Sequence, residues 1–422
     1  MIQEFYASIL STLFGPVIRL VYIAAVIILP IILARAFWSN WVTYVRAVFL
    51  AKQKYILLEL RLPKEQLKSP LAMELFITSL YQTGGEGTRY DKYWLGGMRP
   101  WFSLELVSID GRIRFFIWSR ERWKSVIESQ IYGQYPEIEI AQVNDYASGI
   151  YFDPEVINMF ACDFKKTAAS HIPIKTYLDF GLDKDPKEEF KIDPMTPVIE
   201  YLGSLRKGEQ VWIQIMIRAH KKERTHPDWA WYNPSTWSNK PVGWEHDAKA
   251  DIKKRMSRDK KPKEGEFNIA ELSMTKGERA VVEAIEHNLS KIAFDVGIRA
   301  IYIAKKEVFN PGSLAGMTGS FKQYNSINLN SFAPTNATSV DLPWQDWRGI
   351  KVPAMKRMML GLYKERSIFY DEFLPGGYKQ NVFVMTTEEL ATVYHFPGSV
   401  SRTPTFERIG SKKAEPPANL PV

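Results

Sequence analysis

The sequence predicts an α+β protein: an N-terminal transmembrane helix followed by two ferredoxin-like domains of β-α-β-β-α-β type, the second with a long insertion. Three observations predict it. An uncharged run lies close to the N-terminus. From residue 55 onward the periodicities fall in the order strand, helix, hairpin, helix, strand, and a similar order recurs more loosely between 151 and 310.

From Leu20 to Ala34 there is no charge, and the apolar stretch reaches from Pro16 to Trp38 if Arg19 and Arg35 snorkel. About 20 apolar residues cross a bilayer core. Residues 16–38 are therefore the expected span, 1–15 an interfacial segment too short to span alone, and 39–54 a juxtamembrane helix. Trp38, Trp41 and Tyr44 make an interfacial aromatic belt, and with Arg19 and Arg35 they are the expected membrane-contacting residues. Ala34-Arg35-Ala36 also fits a signal-peptide cleavage site, but the long leading region and the aromatic cluster directly after it oppose cleavage. Arg35, Arg46, Lys52 and Lys54 lie on the C-terminal side of the uncharged run, against Arg19 and Glu4 on the other. The positive-inside rule then predicts a single-pass protein of the cytoplasmic (inner) membrane with its C-terminal domains in the cytoplasm.

YILLELRL at 55–62 reads as a strand, and Ser69-Pro70 opens a helix running to about Gln82. WFSLELVS at 101–108 alternates, with Phe102, Leu104 and Leu106 on one face; Asp110-Gly111 then turns the chain into RIRFFIW. Trp123, Ile127 and Ile131 recur at helical spacing, and EIEIAQV closes the first domain, 55–150. The second domain, 151–310, is expected to hold strands near 160–166 and 171–178 and a helix opening at Asp193-Pro194. EQVWIQIMI is its next strand. Thr275-x-x-Glu278 is a capping box for a helix with inner face Val281, Ile285, Leu289 and Ile292, and FDVGIRAIYIA is the last strand. Between the last two strands lies the insertion, 220–269. A C-terminal α/β extension, 311–400, includes an Asn/Ser/Thr-rich loop at 325–340, and a Pro/Lys-rich tail occupies 401–422.

Composition excludes several classes. The chain is 45% hydrophobic and 13% aromatic, as folded proteins are and disordered ones are not. A single cysteine, Cys162, rules out an intrachain disulfide and a multi-thiolate metal site. Residues 249–263 hold eight Lys or Arg against Asp251 and Asp259, so one loop carries most of the net +8. There is no phosphate loop, no G-x-S-x-G, and no histidine pair at metal-ligand spacing. Cys162, Asp163 and His171 are near in sequence, yet they lie on strand-like segments with nothing to place them together as a catalytic group. The expectation is a non-enzyme with no catalytic residue, no cofactor and no metal.

The insertion carries the candidate contact arm. Trp229, Trp231, Trp237 and Trp244 are followed by Lys253, Lys254, Arg255, Lys260 and Lys261. Aromatics beside cations stack bases and neutralise phosphates, or sit at a lipid surface; the third reading is a packed tryptophan cluster under a solvated loop. The sequence leaves these open.

Several stretches resemble the N-terminal region of membrane-anchored ATPases of the HerA/FtsK type, which are similar to type IV secretion coupling proteins of conjugation-related loci. They are WFSLELVSIDGRIRFFIWSRERWKSVIESQIYGQYPEIEI (101–140), DPMTPVIEYLGSLRKGEQVWIQIMIRA (193–219), TTEELATVYHFPG (386–398) and KKAEPPANLP (412–421). In that group the Pro-Pro-Ala-Asn-Leu-Pro element leads into the nucleotide-binding domain, whereas this chain stops at Val422. The resemblance therefore implies an anchor and assembly subunit of a type IV secretion or conjugation-like machine. Its expected partners are the lipid bilayer, a HerA/FtsK-type ATPase acting in trans and other secretion-system subunits, with self-association and nucleic acid as further candidates. The alternative is a membrane-tethered nucleic-acid-binding module that guides DNA through the Trp/Lys-rich insertion.

Overall fold

A computed structural model describes residues 2–63, 68–183, 192–221, 243–256, 274–340, 342–376 and 378–398. They form two compact units. The smaller unit is helix α1 (Ile2–Ala51) with residues 85–98; the larger holds the remaining elements.

In the smaller unit α1 is a single helix of 50 residues that runs unbroken through Pro16 and Pro30. Among the described residues Ala25–Ala51 is the one helix long and apolar enough to cross a membrane. The expected division into interfacial segment, span and juxtamembrane helix therefore leaves no break in the backbone. A short helix, α3 (Arg89–Tyr93), starts from a reciprocal cap: Asp91 N–H donates to Thr88 Oγ1 at 3.1 Å and Thr88 N–H to Asp91 Oδ2 at 3.0 Å. Gly96, at φ +67°, lies against α1. A Cβ there would fall 2.2 Å from the Val45 carbonyl oxygen, so only glycine lets this segment settle on the helix.

The larger unit is built on one nine-stranded sheet in which every pairing is antiparallel. In chain order its strands are β1 (Tyr55–Arg61), β2 (Trp101–Ile109), β3 (Arg112–Arg120), β4 (Glu139–Val143), β5 (Ile157–Lys166), β6 (Glu209–Ala219), β7 (Ala293–Lys305), β8 (Phe332–Thr335) and β9 (Phe383–Thr386). Their order in space is β4-β1-β3-β2-β6-β7-β5-β8, with β9 pairing the start of β7. Outward from the central β2–β6 pair, the order on one side is second, third, first, fourth strand, and on the other side it is the same. The first half places α2 (Pro70–Ser79) and α4 (Lys124–Gln134) between its outer strands in sequence; the second places α5 (Thr196–Gly203) and α8 (Pro311–Gly319) there.

Local chemistry explains the firmest elements. Asp110 (φ +55°) and Gly111 (φ +80°) turn β2 into β3, as a two-residue hairpin with both central residues at positive φ requires. In β7 twelve of thirteen residues are buried, a β-branched and aliphatic run covered on both faces. One face of the sheet carries Leu58, Leu104, Phe115 and Ile213, which form a single core with Phe76 and Ile77 of α2, Ile127 and Ile131 of α4, Ile199 and Leu202 of α5, and Leu390 of α10 (Thr387–Val393). The capping box of α7 (Lys276–Leu289) forms as the sequence predicts, Glu278 N–H donating to Thr275 Oγ1 at 3.2 Å.

Three expectations are corrected. Residues 171–178 are not a strand. Pro173 has no donor to give a ladder, and the N–H groups of Ile174, Thr176 and Tyr177 go to Glu389, Asp179 and Thr392 side chains. Helix α7 turns the predicted Val281, Ile285 and Leu289 inward, but Ile292 is not on that face. It buries Val281 and Ile285 in a separate cluster with Ile172 and with Ala248 of α6 (Trp244–Arg255), while Ile292 lies past its end and is exposed. The polar stretch 325–340 is no exposed loop throughout: it contributes β8, and Asn330 is fully buried, donating to the carbonyls of Ala169 and Ile172 at 3.0 Å. Polarity there serves backbone satisfaction, not solvation.

Candidate functional site

Every large apolar side chain described between Leu20 and Phe37 is exposed, Leu20, Ile23, Leu29 and Ile31 among them. Those 17 steps of helix rise about 26 Å, close to the ~30 Å of a bilayer's hydrocarbon core. Soluble monomers rarely leave a continuous apolar surface of this length uncovered. The basic and aromatic residues at its end form a collar. Trp38 and Tyr93 rings lie 5.4 Å apart, Trp41 meets Trp94 edge-on at 5.5 Å and Tyr44 at 6.2 Å, and Trp41 Nε1 donates to the Tyr93 carbonyl at 3.0 Å. Tyr44, Tyr90, Trp94 and Leu95 stay exposed beside them, as does Arg35. Rings with an apolar body and a polar edge are the side chains that favour the headgroup boundary. The structure thus brings together the predicted Trp38, Trp41 and Tyr44. It adds Tyr90, Tyr93 and Trp94, which sequence reasoning missed because they sit some fifty residues away in a Gly-flanked turn. The side chain of Arg19 lies outside what is described.

The candidate contact arm is only partly described. Trp229, Trp231, Trp237, Lys260 and Lys261 lie outside the described residues. Trp244 is buried at the start of α6, 6.4 Å from the His220 ring, which withdraws it from any outward-facing stack. Lys253 and Lys254 project to solvent from the last turn of α6, where cations also favour the helix C-terminus. Arg255 instead pairs with Asp251 at 2.9 Å, and His171 Nε2 meets the same carboxylate at 3.1 Å. Burial opposes the charge of Asp251, but Arg255 and His171 outweigh it and hold the carboxyl below its usual range.

Sequence reasoning also missed a buried polar row across the sheet face opposite the main core. Register aligns Glu105 of β2 with Gln214 of β6, Gln214 with Arg299 of β7, and Arg299 with Asp163 of β5. All four are fully buried. Glu105 accepts from Ser103 Oγ at 2.7 Å, Tyr146 OH at 2.8 Å and Arg366 Nε at 3.0 Å; Arg366 also pairs with Asp145. Arg299 Nε donates to Asp163 at 2.9 Å and its Nη2 to Tyr378 OH at 2.8 Å, while Asn336 Nδ2 donates to Asp163 at 2.8 Å. Desolvation works against both guanidinium charges, yet Glu105 and Asp145 hold Arg366 well above its ordinary value, and Asp163 with Tyr378 raises Arg299. Burial, then Glu105, pushes the Tyr146 hydroxyl far above the usual tyrosine range. This row clasps the sheet to residues 363–381, which follow from α9 (Lys351–Lys364). Its carboxylates are occupied by protein donors, so what the arrangement does chemically is fix a cover.

Of the residues near Cys162 in sequence, Asp163 pairs with Arg299 and His171 with Asp251. Burial, then the neighbouring Asp163, raises the Cys162 thiol far above its usual range, which disfavours the thiolate. Among the described residues no group of three or more His, Cys, Asp or Glu is placed to hold a metal ion.

Residues 51–408 match the family described as domain of unknown function DUF8128. The chain belongs to that family. No curated protein matches it.

Proposed function

For this member of the DUF8128 family we propose a membrane-anchored, non-catalytic assembly module, held in a bilayer by α1 and working with a motor ATPase carried on another polypeptide. What carries the reading is the exposed apolar surface of α1 between Leu20 and Phe37, ended by the aromatic collar. Water charges roughly 25 cal/mol for each Å² of such surface, and lipid removes that cost. The basic residues that follow the span orient the larger unit toward the cytoplasm of a single-pass inner-membrane protein.

Each half of the sheet reads as a ferredoxin-like unit, first strand flanked by third and fourth. Two such units joined edge to edge by β2 and β6 make one continuous sheet, which we read as a platform. A platform on a tether suits a subunit that positions other subunits, and the resemblance to the N-terminal region of HerA/FtsK-type coupling proteins names a type IV secretion or conjugation-like machine as the setting. The burial of Trp244 counts against a DNA-guiding arm as the main role.

The test is to express the full chain with its neighbouring genes and wash the membranes with alkaline carbonate. The chain should stay in the pellet, need detergent for release, and carry an ATPase subunit through affinity purification. The purified chain alone should hydrolyse no ATP. Release by carbonate overturns the anchor, and ATP turnover by the purified chain overturns the non-enzyme reading.

A further inference from the structure

The larger unit presents a second aromatic and basic surface that the function above does not use. Trp344 is 69% exposed, Trp347 76% and Ile350 65%, with Leu342 half exposed beside them. They sit on an ordered turn. Gln345 N–H donates to the Leu342 carbonyl at 3.0 Å and Gly349 N–H to that of Asp346 at 2.9 Å, and Gly349 takes φ +64°. The Asp346 carboxylate accepts from the backbone N–H groups of Lys351 and Val352, both at 2.9 Å. Those bonds, from Val352 and then Lys351, hold the carboxyl below its usual range. The turn's one described acidic group is therefore spent on the first turn of α9, while Arg348 and Lys351 face outward. Arg348 lies 4.5 Å over the Trp347 ring.

We propose that the turn Leu342–Ile350 is a second membrane-contacting element, which seats Trp344, Trp347 and Ile350 at the headgroup level of an anionic bilayer while Arg348 and Lys351 meet lipid phosphates. The proposal rests on the membrane-anchored reading, since a tethered chain keeps lipid at high local concentration. Chemistry selects lipid as the occupant. Two exposed tryptophans with exposed aliphatic neighbours suit insertion among acyl chains and headgroups, and outward cations complement an anionic surface. A single-stranded nucleic acid would need free ring faces for stacking, but Arg348 covers one face of Trp347. Leu342 and Ile350 would have no part in such stacking.

The native Cys162 is fully buried, so a full-length Trp347→Cys chain can be labelled at one site with a polarity-sensitive fluorophore. The labelled chain is reconstituted into nanodiscs of phosphatidylcholine with or without phosphatidylglycerol. Co-elution with the discs reports the anchor; the label reports the turn. With phosphatidylglycerol present the emission should shift to the blue and be quenched several-fold by doxyl-labelled lipid. Substituting Arg348→Gln and Lys351→Gln in the labelled chain should abolish most of that quenching. A Trp344→Cys chain, labelled in the same way, should behave alike. A label that stays in water while the chain co-elutes overturns this proposal and leaves the anchor standing. Failure to co-elute overturns the anchor and the proposal together. Protection of the label by an oligonucleotide in place of lipid also overturns it.

Discussion

Arg299→Met removes the cation from an ion pair in which neither side chain is exposed. The methionine fills much of the guanidinium's volume, so the loss is chiefly electrostatic. It strands Asp163, buried and charged, with only Tyr378 and Asn336 still donating to it. Leaving one partner of a buried pair uncompensated costs about 3–5 kcal/mol. Set against a typical stability of about 5–15 kcal/mol, that is roughly a fifth of the total or more. At about 2–4 °C per kcal/mol for a large domain, the melting temperature should fall by roughly 10 °C. Replacing the acid as well, as Arg299→Met with Asp163→Leu, removes the stranded charge but leaves the Tyr378 hydroxyl short of its acceptor, at about 1–3 kcal/mol. Adding Tyr378→Phe should then bring stability back most of the way. The assay is near-ultraviolet circular dichroism against temperature on the full chain in detergent, with the three variants measured side by side. A single variant within about 1 kcal/mol of the parent, or a triple variant no more stable than the single one, would refute the reasoning.

Three further outcomes are expected. Gly96→Ala places a Cβ 2.2 Å from the Val45 carbonyl oxygen on a backbone at φ +67°, so residues 85–98 should lift from α1; limited proteolysis should then cut near Tyr93 several times faster, and unchanged cutting would argue against a tight seat. Thr275→Ala deletes the acceptor that caps α7 and should cost about 1 kcal/mol, read as faster amide exchange at residues 276–279 with the sheet unaffected. Burial works against ionisation of Asp295, but His220 and then Arg218 outweigh it and hold its carboxyl below the ordinary value, and His395 does the same for Asp193. A depressed folded pKa gives stabilisation that is complete above the unfolded value of about 3.9 and is lost as pH falls through the folded one; the urea midpoint should therefore drop steeply below about pH 4, and less steeply in Asp295→Asn.

What could be read in the sequence was whatever a local pattern determines. The alternation in WFSLELVS correctly separates Phe102 and Leu104 from Ser103 and Glu105. It says nothing of whether the second face meets water or protein, and that single unknown hid the polar row, since Glu105 and Gln214 look like surface residues until α9 and residues 363–381 cover them. The same blindness to distant partners explains the misread 171–178, whose backbone donors are satisfied by Glu389 and Thr392 from more than two hundred residues away. It also explains the missed half of the collar: Trp38 and Trp41 are legible because they follow an apolar run, whereas Tyr93 and Trp94 follow a glycine-rich turn and acquire meaning only once Gly96 lets the chain rest on α1. Pattern gives each element its faces, and register decides what those faces touch. In this chain the groups that join its parts, Arg299 to Asp163, Arg366 to Glu105 and Lys166 to Glu389, are all long-range ion pairs on strands or their covers. Apolar contact would hold those parts as well, but it is tolerant of sliding, while a buried guanidinium accepts one partner geometry. If the larger unit presents fixed surfaces to other subunits, as proposed above, it gains from that intolerance, and the row then serves position more than it adds stability.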